Sequence, residues 1–410
     1  MHTLRTISCC AIGLMVCCTA LPFAPAREWG TAHAQAKKKT EKAEKRNPAK
    51  DGPSAPHERT PFTLADENAA VVPGIPDARI WGDSESDFAR VLPQASGPWL
   101  AISGGGSDGA YGAGVLTGWT QAGTRPEFAA VTGASIGSLI APFAFLGPKY
   151  DENVRKNFTT IAAADIFEDR MTRDSLFDSW PLKRIIEQQV TPKLLAEIAA
   201  EHARGRRLFV ATTNLDAGRR MLWNMGAIAA RGDEKALKLF RDVLLASSSI
   251  PGFFPPVAIE VEANGKKFEE LHSDGTITAP FFVMPEGMLS ASGSSRPPLS
   301  QLYVIVNSKL VPEFDVTGRS VAGVLGRSIA IALTSALRAE IMLIYVAAQR
   351  QGIGLHIAHV EPAFNVLSRG PFDGKYMQAL YEFGVAAGQK GTAFEDALPD
   401  LSMRKSNDVQ

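Results

Sequence analysis

Two short apolar runs each pass directly into a glycine-bearing turn and then into a helical pattern. That repeated arrangement is what most constrains the fold. Trp99-Leu100-Ala101-Ile102-Ser103 leads into Gly104-Gly105-Gly106 and a helix reaching about Gln121. Phe128-Ala129-Ala130-Val131-Thr132 leads into a second glycine turn at Gly133 and an apolar helix reaching about Leu146. Strands that alternate with helices in this way call for a largely parallel sheet with helices packed on its faces.

The rest of the chain continues the alternation. Leu208-Phe209-Val210-Ala211-Thr212 reads as a third strand and residues 220–224 as a fourth, with helical patterns over 151–204 and 235–246. Residues 257–261 and 268–272 flank Asn264-Gly265, a strong hairpin signal. A strand at 303–306, a long helix over about 320–350, a strand at 356–360 and a helix at 376–387 follow. Residues 321–348 are very apolar, but Arg327, Arg338 and Glu340 interrupt them. They are predicted to form a buried helix rather than a membrane span.

Both glycine turns carry a serine. Gly133-Ala134-Ser135-Ile136-Gly137 fits G-x-S-x-G between a strand and a helix. The chemistry needs that spacing because a nucleophilic serine sits on a sharp turn where neighbouring backbone must approach closely. A tight turn with a serine helix cap is the plain alternative. Gly105-Gly106-Ser107-Asp108-Gly109 is a second literal match, and Gly104, Gly106 and Gly109 also satisfy G-x-G-x-x-G. A dinucleotide loop needs an acid at the end of the second strand, about 20 residues on. Glu127 lies instead at that strand's beginning. Consecutive glycines suit another task, which is to free backbone N–H groups to converge on a developing oxyanion. Acyl transfer needs an elbow and such a loop together. Ser135 is then the expected nucleophile, and Gly105 and Gly106 the expected donors.

A serine nucleophile needs a base. Asp274, in His272-Ser273-Asp274-Gly275, ends a predicted strand, and Gly275 permits a tight turn there. Burial that raises its pKa would let it take the hydroxyl proton. A Ser–His–Asp triad through His272, His356 or His359 is the competing arrangement, and Asp274 as an ordinary turn residue is the plain one.

Composition narrows the field. Among 410 residues, 43 basic and 43 acidic side chains cancel, which excludes a generally basic nucleic-acid binder. The balance is uneven along the chain. Residues 1–50 hold nine Lys or Arg against three Glu, leaving a formal −6 on the remainder. All four cysteines (Cys9, Cys10, Cys17, Cys18) fall in the first 18 residues, so the body has neither a disulfide nor a cysteine metal site. Arg5, an uncharged run over 7–24 and Ala24-Pro25-Ala26 read as a secretory signal peptide cleaved after Ala26. A retained anchor, or lipidation at Cys17 or Cys18, is the alternative. Residues 37–60 are Lys-rich and carry proline without apolar periodicity, as a solvated tether does.

With these residues in view, the sequence resembles the patatin-like phospholipase family. Ser103-Gly104-Gly105-Gly106-Ser107-Asp108-Gly109 looks like that family's oxyanion loop, and Gly133 through Gly137 like its nucleophile elbow. His272-Ser273-Asp274-Gly275 looks like its Asp-Gly segment. Asn214-Leu215-Asp216 and the run from Ala246 to Pro256 look like its internal structural signatures. The resemblance implies a three-layer α/β/α fold that hydrolyses lipid acyl esters with a Ser135–Asp274 dyad. Gly104, Gly105 and Gly106 would form the oxyanion loop, and no cofactor, metal or histidine is required.

Two positions depart from the family pattern. Asp108 stands where an arginine is usual, which favours a neutral ester over an anionic lipid, and Thr276 follows the Asp-Gly pair. Asn214 and Asp216 are expected to hold a turn. Phe253, Phe254, Pro255 and Pro256 are expected to line the core rather than an acyl pocket. The expected organisation is a signal peptide (1–26), a basic linker (27–61), an irregular extension (62–96), a catalytic domain (97–308) and a mainly helical cover of that domain (309–410). The expected partners are a lipid or other acyl ester and a transient membrane surface, with no nucleic acid. A non-catalytic lipid-binding or envelope-interaction protein on the same fold is the competing function.

Overall fold

All four residues of the strand Trp99–Ile102 are buried. A strand apolar on both faces belongs inside a sheet covered on both sides. The computed structural model describes residues 59–290 and 299–401. In it the strands are β1 (Arg79–Trp81), β2 (Trp99–Ile102), β3 (Ala130–Ala134), β4 (Arg207–Asn214), β5 (Arg219–Asn224), β6 (Val257–Ala263), β7 (Lys266–Asp274), β8 (Gln301–Val306) and β9 (Gly354–His359). They form one sheet in the order β1-β5-β4-β3-β2-β8-β9, with β7 branching from β4 and carrying β6. The centre, β4-β3-β2-β8-β9, is parallel, whereas β1, β5, β6 and β7 join antiparallel.

Five helices matter most to the site: α1 (Gly109–Gln121), α2 (Ile136–Leu146), α3 (Glu234–Ser247), α4 (Val321–Gln351) and α5 (Gly374–Lys390). Leu100, Val131 and Leu208 face a core built with α1, α2, α3 and α5. Trp99, Ala101 and Phe209 face the opposite core, built with the Glu85–Arg90 helix and the C-terminal half of α4. The result is the expected α/β/α sandwich around a largely parallel sheet.

The β6–β7 hairpin follows its turn residues. Ala263 pairs with Lys266 across a two-residue loop in which Asn264 and Gly265 have φ of 52° and 79°. These are the positive values that a type I′ turn requires. Residues 62–96 are more ordered than expected, contributing β1 and two short helices, Leu64–Ala69 and Glu85–Arg90. In the mainly helical C-terminal segment the strand expected at 356–360 is β9, which extends the sheet beside β8. The expected signal peptide and most of the linker lie outside the described residues. At the linker's end, Arg59 donates to Asp216 Oδ1 at 2.9 Å and to the Glu269 carbonyl.

The long helix corrects an expectation. Ser320 caps α4 at its start, and Gly352, in a left-handed conformation, ends it. Leu337, Ile341, Ile344, Ala347 and Ala348 are buried, but no residue from 321 to 336 is. The sequence pattern read as a helix buried throughout. Only the C-terminal half has a sheet beneath it.

Candidate active site

The site forms where β2, β3 and β7 end. Ser135 follows β3 with φ 53° and ψ −129°, a conformation rarely adopted by residues other than glycine, and α2 begins at the next residue. The turn is possible because its two glycines leave room. A side chain on Gly133 would strike the backbone of Gly137, and one on Gly137 would strike the carbonyls of Ile102 and Ser103. Neighbouring serines hold the elbow in place. Ser135 N–H donates to Ser247 Oγ at 3.0 Å, and Ser247 Oγ donates to the Ala211 carbonyl at 2.7 Å. Ser138 Oγ donates to the Ser135 carbonyl at 2.6 Å.

Asp274 ends β7 and is buried. Ser135 Oγ donates to its Oδ2 at 2.7 Å. Its Oδ1 accepts from Thr276 N–H at 2.9 Å and from Thr276 Oγ1 at 2.6 Å. Its own N–H donates to the Ser249 carbonyl, and Gly275 gives the close approach to the Ala211 backbone. Burial pushes the Asp274 carboxyl up to about 6, opposed by the hydrogen bonds from Thr276 and Ser135. Thr276, a departure from the family pattern, thus supplies two donors to the carboxylate.

The glycine loop lies against the serine. A Cβ on Gly104 would sit 3.0 Å from Ser135 Cβ. Gly104 N–H donates to the Pro280 carbonyl at 3.1 Å, so its N–H is already occupied. Gly105 and Gly106, with φ of 154° and 56°, have no protein acceptor for their N–H groups among the described residues. Gly109 starts α1, with Ile136 and Phe158 so near that a side chain there would strike them.

Sequence reasoning missed what anchors this loop. Asn307, fully buried just past β8, donates from Nδ2 to the Ser103 carbonyl at 2.9 Å and accepts from Gly112 N–H at 3.0 Å. Its backbone N–H donates to Ser103 Oγ, which donates in turn to the Gly104 carbonyl. The pattern holds no cue for this. Only the pairing of β2 with β8 brings Asn307 to the loop. An apolar pocket beside the elbow was also missed. Ile136, Leu139, Phe143, Phe158, Ile186 and Phe372 line it. Phe254 is buried in the core, and Phe253 stacks on Phe177 at 6.1 Å.

The other candidates lie elsewhere. The buried His272 ring contacts Thr212 Oγ1 at 2.9 Å and Glu270 Oε2 at 3.0 Å. His356 lies between Asp396 and Gln301, and His359 contacts the Val360 carbonyl. None of the three bonds to Ser135 or Asp274. Ser107 Oγ accepts from Phe372 N–H at 2.9 Å, and Glu127 pairs with Arg204 on the surface. Asp108 accepts from Tyr376 OH at 2.7 Å, and burial pushes its carboxyl up to about 6. Asn214 Oδ1 accepts from Asp216 N–H and Ala217 N–H, both at 3.0 Å, closing the expected turn.

Residues 100–285, under half of the chain, match the sequence model of the family described as patatin-like phospholipase. That segment, residues 100–285, is a patatin-like phospholipase domain. Among solved structures, VipD from Legionella pneumophila is similar over 78% of this chain and 71% of its own. The identity is 11% and the TM-score 0.38. No curated protein matches.

Proposed function

We propose that this protein is an exported serine acyl-ester hydrolase that acts on lipid, with Ser135 as nucleophile and Asp274 as its base. The observation that carries this reading is the 2.7 Å hydrogen bond from Ser135 Oγ to Asp274 Oδ2 on a backbone held at φ 53°. As Oγ attacks the ester carbonyl, its proton passes to Oδ2. The carbonyl oxygen becomes an oxyanion, which Gly105 and Gly106 N–H receive. The ester C–O bond then breaks, and Asp274 returns the proton to the departing alcohol. Water next gives a proton to Asp274 and attacks the acyl-serine. The fatty acid leaves and Ser135 regains its proton.

The surroundings suit each role. Thr276 occupies Oδ1 and leaves Oδ2 for the serine. A carboxyl raised to about 6 is a stronger base than an exposed one and is still ionised at neutral pH. The pocket that opens beside Ile136 is apolar, as an acyl tail requires. Export rests on the charged, apolar and small-residue succession of the first 26 residues.

A fluorophosphonate probe tests the reading directly. It is expected to label the wild type covalently at Ser135 and to leave Ser135→Ala unlabelled, and that variant should hydrolyse neither a short-chain ester nor a lipid. Labelling that persists in Ser135→Ala and vanishes in Ser107→Ala would make the first glycine turn the elbow. A folded chain that labels nowhere would leave the non-catalytic lipid binder. Intact mass of the exported protein tests cleavage after Ala26.

A further inference from the structure

From Val321 to Ala348 the outward face of α4 carries no charge. Its exposed side chains include Val321, Val324, Ser328, Ile331, Ser335 and Met342, spaced three, four or seven residues apart. That spacing sets them along one side of the helix. Ile331 is 54% exposed. The three charges of α4 up to residue 348 are less exposed than this stripe. Arg327 donates to the Glu313 carbonyl at 2.6 Å, and Arg338 to the Leu310 and Leu401 carbonyls. Glu340 is raised by burial near Arg220 and Glu286. A helix in water normally turns its charges outward and its apolar side chains inward. Here the first half, roughly 24 Å long, does the reverse.

The helix that carries this face adjoins the Ser135 site, through residues beside and behind the stripe. Leu325 packs on Gly252, and Phe253 on Gly326, a few residues past the serines that hold the elbow. Glu313, which Arg327 grips, is among the charges that act on Asp108 in the oxyanion loop. The next residue, Phe314, is 94% exposed, and Val316 is 79% exposed. Apolar side chains that protrude in this number mark an interaction surface.

We propose that the outer face of α4, with Phe314 and Val316, docks on a lipid surface and sets the Ser135 site against it. This rests on the reading of that site as a lipid acyl hydrolase. An uncharged stripe suits the interfacial zone of a zwitterionic bilayer, where apolar side chains sink to the acyl boundary. The helix lies along the surface and does not cross it, because its C-terminal half is fixed in the core over the sheet. A second copy on the same face would cover the approach to the site, whereas a lipid surface there supplies substrate.

The test is flotation of the full chain on phosphatidylcholine vesicles, in a Ser135→Ala background so that the vesicles persist. The wild-type face is expected to float. Combined Val324→Glu, Ile331→Glu and Met342→Glu should lower the bound fraction about ten-fold or more, since charge opposes interfacial insertion. With Ser135 restored, the triple variant should keep turnover of a soluble short-chain ester and lose it on vesicle lipid. That soluble turnover also certifies its fold. Ser328→Leu with Ser335→Leu should raise the bound fraction. Flotation unchanged by either set overturns the proposal, as does a wild-type dimer that the triple variant disperses without any change in flotation. Loss of all ester turnover in the wild type would refute the catalytic reading and leave the flotation result standing.

Discussion

Ser135 and Asp274 are held by different means, and this separates what each substitution should do. The serine is set by backbone, through its positive φ and the flanking glycines. The aspartate is set by hydrogen bonds, with Thr276 on one oxygen and Ser135 on the other. A base must be ionised to act, so kcat/KM should rise with pH through about 6 and level above it. Thr276→Val removes a donor that holds the carboxylate down and should move that inflection upward. A pH–rate profile that did not shift would separate Thr276 from the base. Asn307 acts one step further out. Asn307→Ala strips partners from the buried Ser103 carbonyl and Gly112 N–H, an expected loss of about 1–3 kcal/mol in stability. If it positions the oxyanion donors, kcat should fall by about 10–100-fold with KM little changed. Thermal melts beside steady-state kinetics separate the two effects.

At the scale of elements, α1 and α5 show how closely this fold packs around its site. Gly114 and Gly118 on α1 meet the backbone of Tyr381 and Val385, while Gly384 and Gly388 on α5 meet that of Tyr111 and Val115. Glycines four residues apart on both helices let the backbones touch, and α1 begins at the end of the glycine loop. Gly118→Leu should therefore cost about 1–3 kcal/mol or more by overpacking, read as a lower melting temperature. The same residues show what a sequence can disclose. The apolar strands, the Asn264-Gly265 hairpin, the elbow and the Asp-Gly segment were legible, because each is a local pattern with a local cause. β1 was not, because three residues, Arg79 to Trp81, become a strand only through pairing with β5. Asn307 and Ser247 were not, because their roles depend on partners 204 and 112 residues away. The exposure of α4 was not, because composition shows that a helix is apolar but not whether anything covers it.

For the whole molecule, pH acts on stability through two opposed sets of buried groups. Burial raises Asp274 and Asp108 to about 6, and it raises Glu67 and Glu340 as well. A carboxyl raised above its unfolded value of 3.8 favours the fold fully below that pH and loses its contribution as pH climbs through about 6. For Asp274 the span corresponds to roughly 3 kcal/mol. Histidines work the other way. Burial lowers His202 to about 4 and lowers His272 also, so the unfolded chain takes up protons first and the fold weakens as pH falls below 6.5. Asp274 and His202 overlap between about 4 and 6, where their slopes are opposite. Asp274→Asn removes a falling contribution, so its advantage over wild type should grow from pH 4 to pH 8. His202→Gln removes a rising one, so its advantage should be greatest at pH 4 and fade by pH 8. Melting curves for the three proteins at matched ionic strength check this. Parallel profiles would mean that these groups titrate alike in the folded and unfolded chain. The cysteine-free body makes the comparison clean, because no thiol after Cys18 can titrate or exchange within the same range.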